Sequence, residues 1–199
     1  CTYCYARGGD YGLGPSMMTG DTAIAAVVEM ERRFGAIRVA QFFGGEPLLN
    51  WPAIAALCEF LEHRGEADPP RPYLGMVTNL VHCPPELTEL VRRYHIHVTA
   101  SLDGPPEIND LQRIHPDGSG TFKTVARNIR QLRAATDEPS MIESTFTHHH
   151  ASRHWTAAAL RRFFLNAFGV RMVLVAPVGD PQDSDAAFRL LPQLCEGTS

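Results

Sequence analysis

A chain of 199 residues is long enough for one hydrophobic core, and 44% hydrophobic with 20% charged residues is globular rather than disordered composition. Lys+Arg 18 against Asp+Glu 22 gives −4, so no basic footprint for nucleic acid exists. No apolar run reaches the roughly 18 residues of a spanning helix and no signal peptide is visible; five cysteines are too few for a secreted disulfide framework, which makes the cytoplasm the expected compartment.

In chain order, Cys1 to Ser16 reads as a loop, because glycines and a proline break any regular element. Asp21 is the expected N-cap of a helix over Thr22 to Phe34, with Ile24, Val27, Val28 and Glu31 at helical spacing and Gly35 as the stop. Ile37 to Phe43 is β-branched and aromatic, ends in Gly44-Gly45 and reads as a buried strand. Trp51 to His63 is helical, with Ile54, Leu57, Cys58 and Leu61 on one face. Tyr73 to Thr78 predicts a strand, Pro85 to Tyr94 a helix, and Ile96 to Leu102 a strand entering Asp103-Gly104-Pro105-Pro106. A polar loop follows to Gly120, Thr121 caps a helix to Ala134, and Met141 to Thr147 is a strand. Trp155 to Phe168 is a helix and Val170 to Val175 a strand, with a polar tail from Asp180 and a short helix over Ala186 to Cys195.

Repeated β–α alternation implies an α/β fold with a parallel sheet and helices outside it, either a (β/α) barrel or a doubly wound open sheet. Both place their sites at the C-terminal ends of strands. Two segments there carry chemistry. Cys1-Thr2-Tyr3-Cys4 is a CxxC, a pattern shared by zinc sites, dithiol centres and iron–sulfur clusters. Phe42-Phe43-Gly44-Gly45-Glu46-Pro47 lets backbone approach a ligand and sets a carboxylate at a strand end, or else is an ordinary turn with Glu46 solvated. Alternation puts His95, His97, Thr99 and Ser101 on one strand face and leaves the face of Glu143 open.

These segments resemble the radical SAM superfamily, whose signature is CxxxCxxC with an aromatic residue before the last cysteine. Tyr3 holds that place, and Cys1 and Cys4 match the second and third cysteines. Gly44-Gly45-Glu46-Pro47, Thr78-Asn79, Ser101-Leu102-Asp103-Gly104-Pro105, Ile108 to Arg113 and Gly118 to Phe122 follow in the family's order, over about residues 1 to 175. The last two are similar to the subgroup that modifies peptides and proteins, which includes thioether-forming peptide maturases and anaerobic sulfatase-maturating enzymes.

The resemblance implies a partial (β/α)6 TIM-like barrel over residues 1–178, apparently truncated at its N-terminal strand, with the first cluster cysteine expected four positions before Cys1. It implies a [4Fe–4S] cluster on three thiolates, Cys1 and Cys4 among them, and S-adenosylmethionine as the source of a 5′-deoxyadenosyl radical. Gly44, Gly45 and Glu46 would hold the methionine amino group, the Tyr3 backbone the adenine, and Ser101 and Arg113 the ribose or carboxylate. The implied partners are a peptide or protein substrate and an electron donor such as flavodoxin or ferredoxin, with no nucleic acid and no membrane. Residues 179–199 would begin a C-terminal region that carries auxiliary iron–sulfur clusters, although Cys195 itself reads first as an incidental cysteine.

The expected activity is that of a ribosomal peptide maturase forming a thioether or related crosslink; the alternative is formylglycine formation in a sulfatase. A non-catalytic zinc or redox module, or a degenerate barrel scaffold, is the rival of another class. His148-His149-His150 with His154 reads as a polar loop rather than a metal site, because successive side chains diverge. Cys58 reads as a core residue, and Cys83 as a bystander in a loop.

Overall fold

The computed structural model describes residues 1–4, 6, 8–10, 14, 16–64 and 69–178. Its elements are α1 (Gly20–Phe34), β1 (Val39–Phe42), a 3-10 turn (Pro47–Asn50), α2 (Trp51–Arg64), β2 (Tyr73–Thr78), α3 (Glu86–Tyr94) and β3 (His97–Ser101). Then come α4 (Pro106–Gln112), α5 (Phe122–Thr136), β4 (Met141–Phe146), α6 (His148–Ala151), α7 (Ala157–Phe168) and β5 (Met172–Pro177). The five strands are all parallel, in the sequential order β1-β2-β3-β4-β5. A doubly wound sheet reverses its strand order at a switch point. This one never does, so the architecture is the partial barrel.

One face of the sheet carries the core. Leu74, Met76, Val98, Ala100, Ile142 and Phe146 alternate along their strands and are buried against the helices. Leu57, Cys58 and Leu61 of α2, Leu87 and Val91 of α3, Ile129 and Leu132 of α5, and Phe164 of α7 close over them. Truncating a fully buried member such as Ile142 to Ala costs about 2–5 kcal/mol.

The other face lines the inside of the partial barrel. Strand register aligns Gln41, Gly75 and His97 in one row. The next rows are Val77, Thr99, Met141 and Met172, then Ser101, Glu143 and Leu174. Glu143, whose face the sequence left open, therefore points inward beside Ser101.

Several boundaries differ from expectation for identifiable reasons. The N-cap of α1 is Thr19, whose Oγ1 accepts from Thr22 N at 3.1 Å, while Asp21 sits in the first turn at the positive end of the helix dipole. Gly35, with φ 79°, is the expected stop. β1 is shorter than the run Ile37–Phe43 and is the edge of the sheet, so Val39 and Phe43 are exposed rather than buried. The segment read as a polar loop after Gly104 contains helix α4, because Pro106 occupies a first-turn position where its missing N–H costs nothing, and Ile108 is fully buried. Thr121 stands at the N-terminus of α5, but its hydroxyl donates to Arg113 O at 2.8 Å, and Phe122 N is instead served by Asp110 Oδ1 at 2.8 Å. α7 begins two residues after Trp155, capped by Thr156, and β5 runs two residues later than expected. The helix expected over Ala186–Cys195, and Cys195 itself, lie outside the described residues. No helix among the described residues is long and apolar enough to cross a membrane.

Candidate active site at the strand ends

Parallel strands deliver their C-terminal ends to one side, and four of the sequence-marked segments meet there. The turn after β1 is braced by Glu46. Its Oε1 accepts from Leu48 N at 3.0 Å and from Thr78 Oγ1 at 2.6 Å, and Oε2 accepts from Asn79 N at 2.8 Å. This carboxylate thus caps the 3-10 turn and ties the end of β1 to the end of β2. Burial pushes its pKa up, and the three hydrogen bonds oppose that shift. Gly44 has φ 143° and a methyl placed on it would meet nothing within 4 Å, so that side of the turn is open to a ligand.

The centre of the site is Asp103, just past β3 and fully buried. Its Oδ2 accepts from the Tyr3 hydroxyl at 2.8 Å and from Gln112 Nε2 at 2.6 Å. Arg113 Nε lies 2.9 Å from the same oxygen as an ion pair rather than an aligned hydrogen bond. Oδ1 accepts from Thr145 N at 2.9 Å at the end of β4. The Asp103 carbonyl accepts from Ser144 Oγ at 3.1 Å and from His150 at 2.6 Å, and its N–H donates to Asn109 Oδ1 at 3.2 Å. A buried charge survives only with such complete pairing.

Arg113 carries this node to the N-terminal loop. Its guanidinium lies 5.6 Å from the centroid of the Tyr3 ring, and Nη1 donates to Cys1 Sγ at 3.7 Å. Burial alone would lower the Arg113 pKa, but Asp103 and Tyr3 beside it outweigh that and hold it above the usual value. Burial, then the negative charge of Asp103, push the Tyr3 phenol well above its ordinary range.

Cys1 and Cys4 share the loop anchored in this way. Thr2 N donates to Gln112 O at 2.8 Å, Cys4 N to Cys1 O at 3.3 Å, and Gly8 N to Cys4 Sγ at 3.3 Å. Each thiol therefore faces a donor, the guanidinium for Cys1 and a backbone N–H for Cys4, as iron–sulfur thiolate ligands do. The donor set fits two corners of a cluster. Among the described residues, no group of three or more His, Cys, Asp or Glu is placed to hold a metal ion.

The histidine run forms the one-turn helix α6 instead of a loop. His150 turns inward, stacks on Phe146 with ring centroids 4.6 Å apart, accepts from Thr147 N at 3.1 Å through Nδ1 and donates from Nε2 to Asp103 O. That pattern requires the neutral ring, and burial lowers its pKa accordingly. His148 and His149 lie side by side with ring centroids 3.8 Å apart. His97 is at the opposite, N-terminal end of β3, beside Glu138 at 3.2 Å, on a cavity of about 410 Å³ also lined by Arg92, His95 and Arg133.

The structure thus brings Cys1, Tyr3, Cys4 and Arg113 together, with Gly44, Gly45 and Glu46 on the adjoining turn and Ser101 at the end of β3. Sequence reasoning quoted Asp103 and Gln112 within motifs but gave neither a role, and it missed His150 as their buttress. An Asp directly after a strand, followed by Gly104-Pro105, was the available signal for Asp103.

The profile of the Radical SAM superfamily matches residues 1–150. The chain belongs to that superfamily. Over 93 residues it is 33% identical to a radical SAM cyclopropyl synthase, TigE, of Paramaledivibacter caminithermalis, covering 47% of this chain and 18% of that protein. Over 114 residues it is 35% identical to an uncharacterized protein of Methanothermobacter thermautotrophicus, covering 53% of this chain and 38% of the relative. In fold it is similar to native anSMEcpe with bound AdoMet and Cp18Cys peptide, with a TM-score of 0.80, 21% identity and coverage of 97% of this chain and 52% of that one. The AdoMet complex without that peptide gives 0.75 at 22% identity, covering 91% and 48%. The radical SAM chain described here therefore spans about half the length of these solved structures and less of the curated relatives. The superfamily's cofactors are a [4Fe–4S] cluster and S-adenosylmethionine.

Proposed function

We propose that this domain is the radical-generating core of an enzyme that modifies a peptide or protein, in the first place a ribosomal peptide maturase forming a thioether or related crosslink. The observation that carries the reading is the anchoring of the Cys1–Cys4 loop, through Tyr3 and Arg113, onto the buried Asp103 at the strand ends. The relative TigE, named a cyclopropyl synthase, and the Cp18Cys peptide bound by the fold neighbour anSMEcpe support a peptide substrate. Membership of the superfamily removes the ground for reading the CxxC as a zinc or dithiol module.

In this reading Cys1 and Cys4 supply two thiolates. The backbone of Gly44–Glu46 and of Tyr3 would receive the methionine amino group and the adenine, and Glu46 would act by bracing the turn, since its carboxylate is already engaged by Thr78 and Asn79. Arg113, held between Asp103 and Cys1, and Ser101, on the inner wall, would contact the ribose or the carboxylate. The chemistry supplied by the bound cofactors is one-electron reductive cleavage of the sulfonium C–S bond, which yields a carbon radical for hydrogen abstraction. A flavodoxin or ferredoxin in the cytoplasm is the proposed electron donor, and the region after residue 178 the proposed seat of auxiliary clusters.

The test uses the full-length protein, reconstituted anaerobically with iron and sulfide, given S-adenosylmethionine and dithionite, and offered a cysteine-containing precursor peptide encoded near its gene or a sulfatase peptide. A crosslinked precursor lighter by two hydrogens is the expected product. Formylglycine in the sulfatase peptide instead would establish the second reading, and no cleavage of S-adenosylmethionine at all would leave a degenerate scaffold.

A further inference from the structure

The cluster-loop glycines and the Gly44–Gly45–Glu46 turn meet backbone to backbone. A methyl built on Gly9 would stand 2.7 Å from Gly45 Cα and 2.9 Å from Gly45 N, and one built on Gly45 would overlap the Gly8 carbonyl and lie 3.1 Å from Gly9 Cα. Carbon atoms pack at about 3.5–4.0 Å, and these neighbours are main-chain atoms with no rotamer to change. Neither position accepts a side chain unless the two segments separate. The paired glycines of the turn therefore differ in kind: Gly44 leaves open space, whereas the side-chain position of Gly45 is filled by the loop.

Gly8 makes the contact consequential. Its N–H donates to Cys4 Sγ at 3.3 Å while its carbonyl lies against Gly45, so one residue spans from the thiol to the turn. The loop's other end is held independently, by Thr2 N on Gln112 O and the Tyr3 hydroxyl on Asp103. A separation at Gly45 would thus shift one side of the loop while the other stays pinned.

We propose that the docking of Gly8–Gly9 on Gly45 is a positioning contact, which sets the Cys4 thiol in register with the turn that receives S-adenosylmethionine. The inference rests on the radical SAM reading and assigns Gly9, and the missing side chain of Gly45, to that register rather than to ligand contact. A methyl at either position forces the segments apart by about 1 Å, and a misplacement of that size costs about 10²-fold in rate.

The experiment compares the full-length parent with Gly9→Ala, Gly45→Ala and Gly14→Ala, all reconstituted anaerobically. Gly14 has φ 82° but nothing within 4 Å, so its variant carries the strain of a positive φ without the clash. Iron and sulfide per chain, the EPR signal of the reduced cluster with and without S-adenosylmethionine, and the rate of reductive cleavage are measured. Gly9→Ala and Gly45→Ala should keep the parent's iron, lose the change that S-adenosylmethionine makes in the EPR signal and cleave it about 10²-fold more slowly. Gly14→Ala should match the parent. A parent-like EPR change in both contact variants would overturn the proposal, as would loss of iron from both, which would make the contact a requirement of loop folding. A parent that takes up no cluster would overturn the radical reading itself.

Discussion

Replacing Asp103 by Asn keeps the side chain's size and removes its charge. The Arg113 guanidinium would remain where it is, with its side chain 11% exposed, facing an amide where a fully buried carboxylate had been. So little solvent reaches the pair that screening is weak, and stranding one member of a buried ion pair costs about 3–5 kcal/mol. Gln112 Nε2 and the Tyr3 hydroxyl, which both donate to Oδ2, would compete for the single remaining oxygen with Thr145 N, which adds to the loss. For a chain of this size each kcal/mol lowers Tm by about 2–4 °C, so Asp103→Asn should melt about 6–20 °C below the parent. Circular dichroism melts at neutral pH measure it, with Asp103→Asn/Arg113→Met as the companion. If the cost is an uncompensated charge, the double variant recovers part of the stability. A single-variant shift under about 2 °C, or a double variant that loses the sum of the two singles, would refute the assignment of Asp103 as the charged keystone.

His150 is buried neutral with its pKa lowered below the free value of about 6.5, so the unfolded chain takes up its proton first. Stability should be full above that value and fall as pH drops through it. His150→Gln should flatten that limb of a denaturant-midpoint profile, and an unchanged limb would exclude the histidine as its source. Glu46 has the opposite sign: its raised pKa means the folded state holds the proton longer, so its contribution is largest in acid and fades as pH rises above about 4. Relative to Glu46→Gln, the parent should therefore lose stability as pH rises above about 4, and a shift in the other direction would contradict it. Cys58 is fully buried with its thiol pushed up to about 12, so iodoacetamide at mildly alkaline pH should label Cys1 and Cys4 in the native chain and spare Cys58 until denaturant is added, as read by peptide mass spectrometry.

Element types were legible wherever local period and burial agree. Tyr73 to Thr78 alternates exposed or half-buried positions with buried ones as a half-covered strand must, and the buried face of α2 contains the Ile54, Leu57, Cys58 and Leu61 stripe seen in the sequence. The failures fall where a side chain's partner is remote in sequence or where one residue type has two uses. Pro105-Pro106 reads as a breaker, yet Pro106 starts α4; Thr121 reads as a cap, yet its hydroxyl turns back to Arg113. Val39 to Phe42 has the composition of a buried strand, but burial depends on a neighbour strand that composition cannot specify, and β1 is an edge.

For the site, the order of Cys1-Thr2-Tyr3-Cys4, Gly44-Gly45-Glu46 and Ser101-Leu102-Asp103-Gly104 was sufficient to indicate the family, because cofactor chemistry constrains residue types at fixed places along the chain. The division of labour among those residues came from the third dimension. Glu46 spends its carboxylate on Thr78 and Asn79, and Asp103 organises Tyr3, Gln112 and Arg113. Gly45 is bare because Gly8 and Gly9 lie on it, whereas Gly44 is bare toward open space. Two adjacent glycines are identical letters in a sequence, and only the excluded volume of atoms from distant segments distinguishes what each is for.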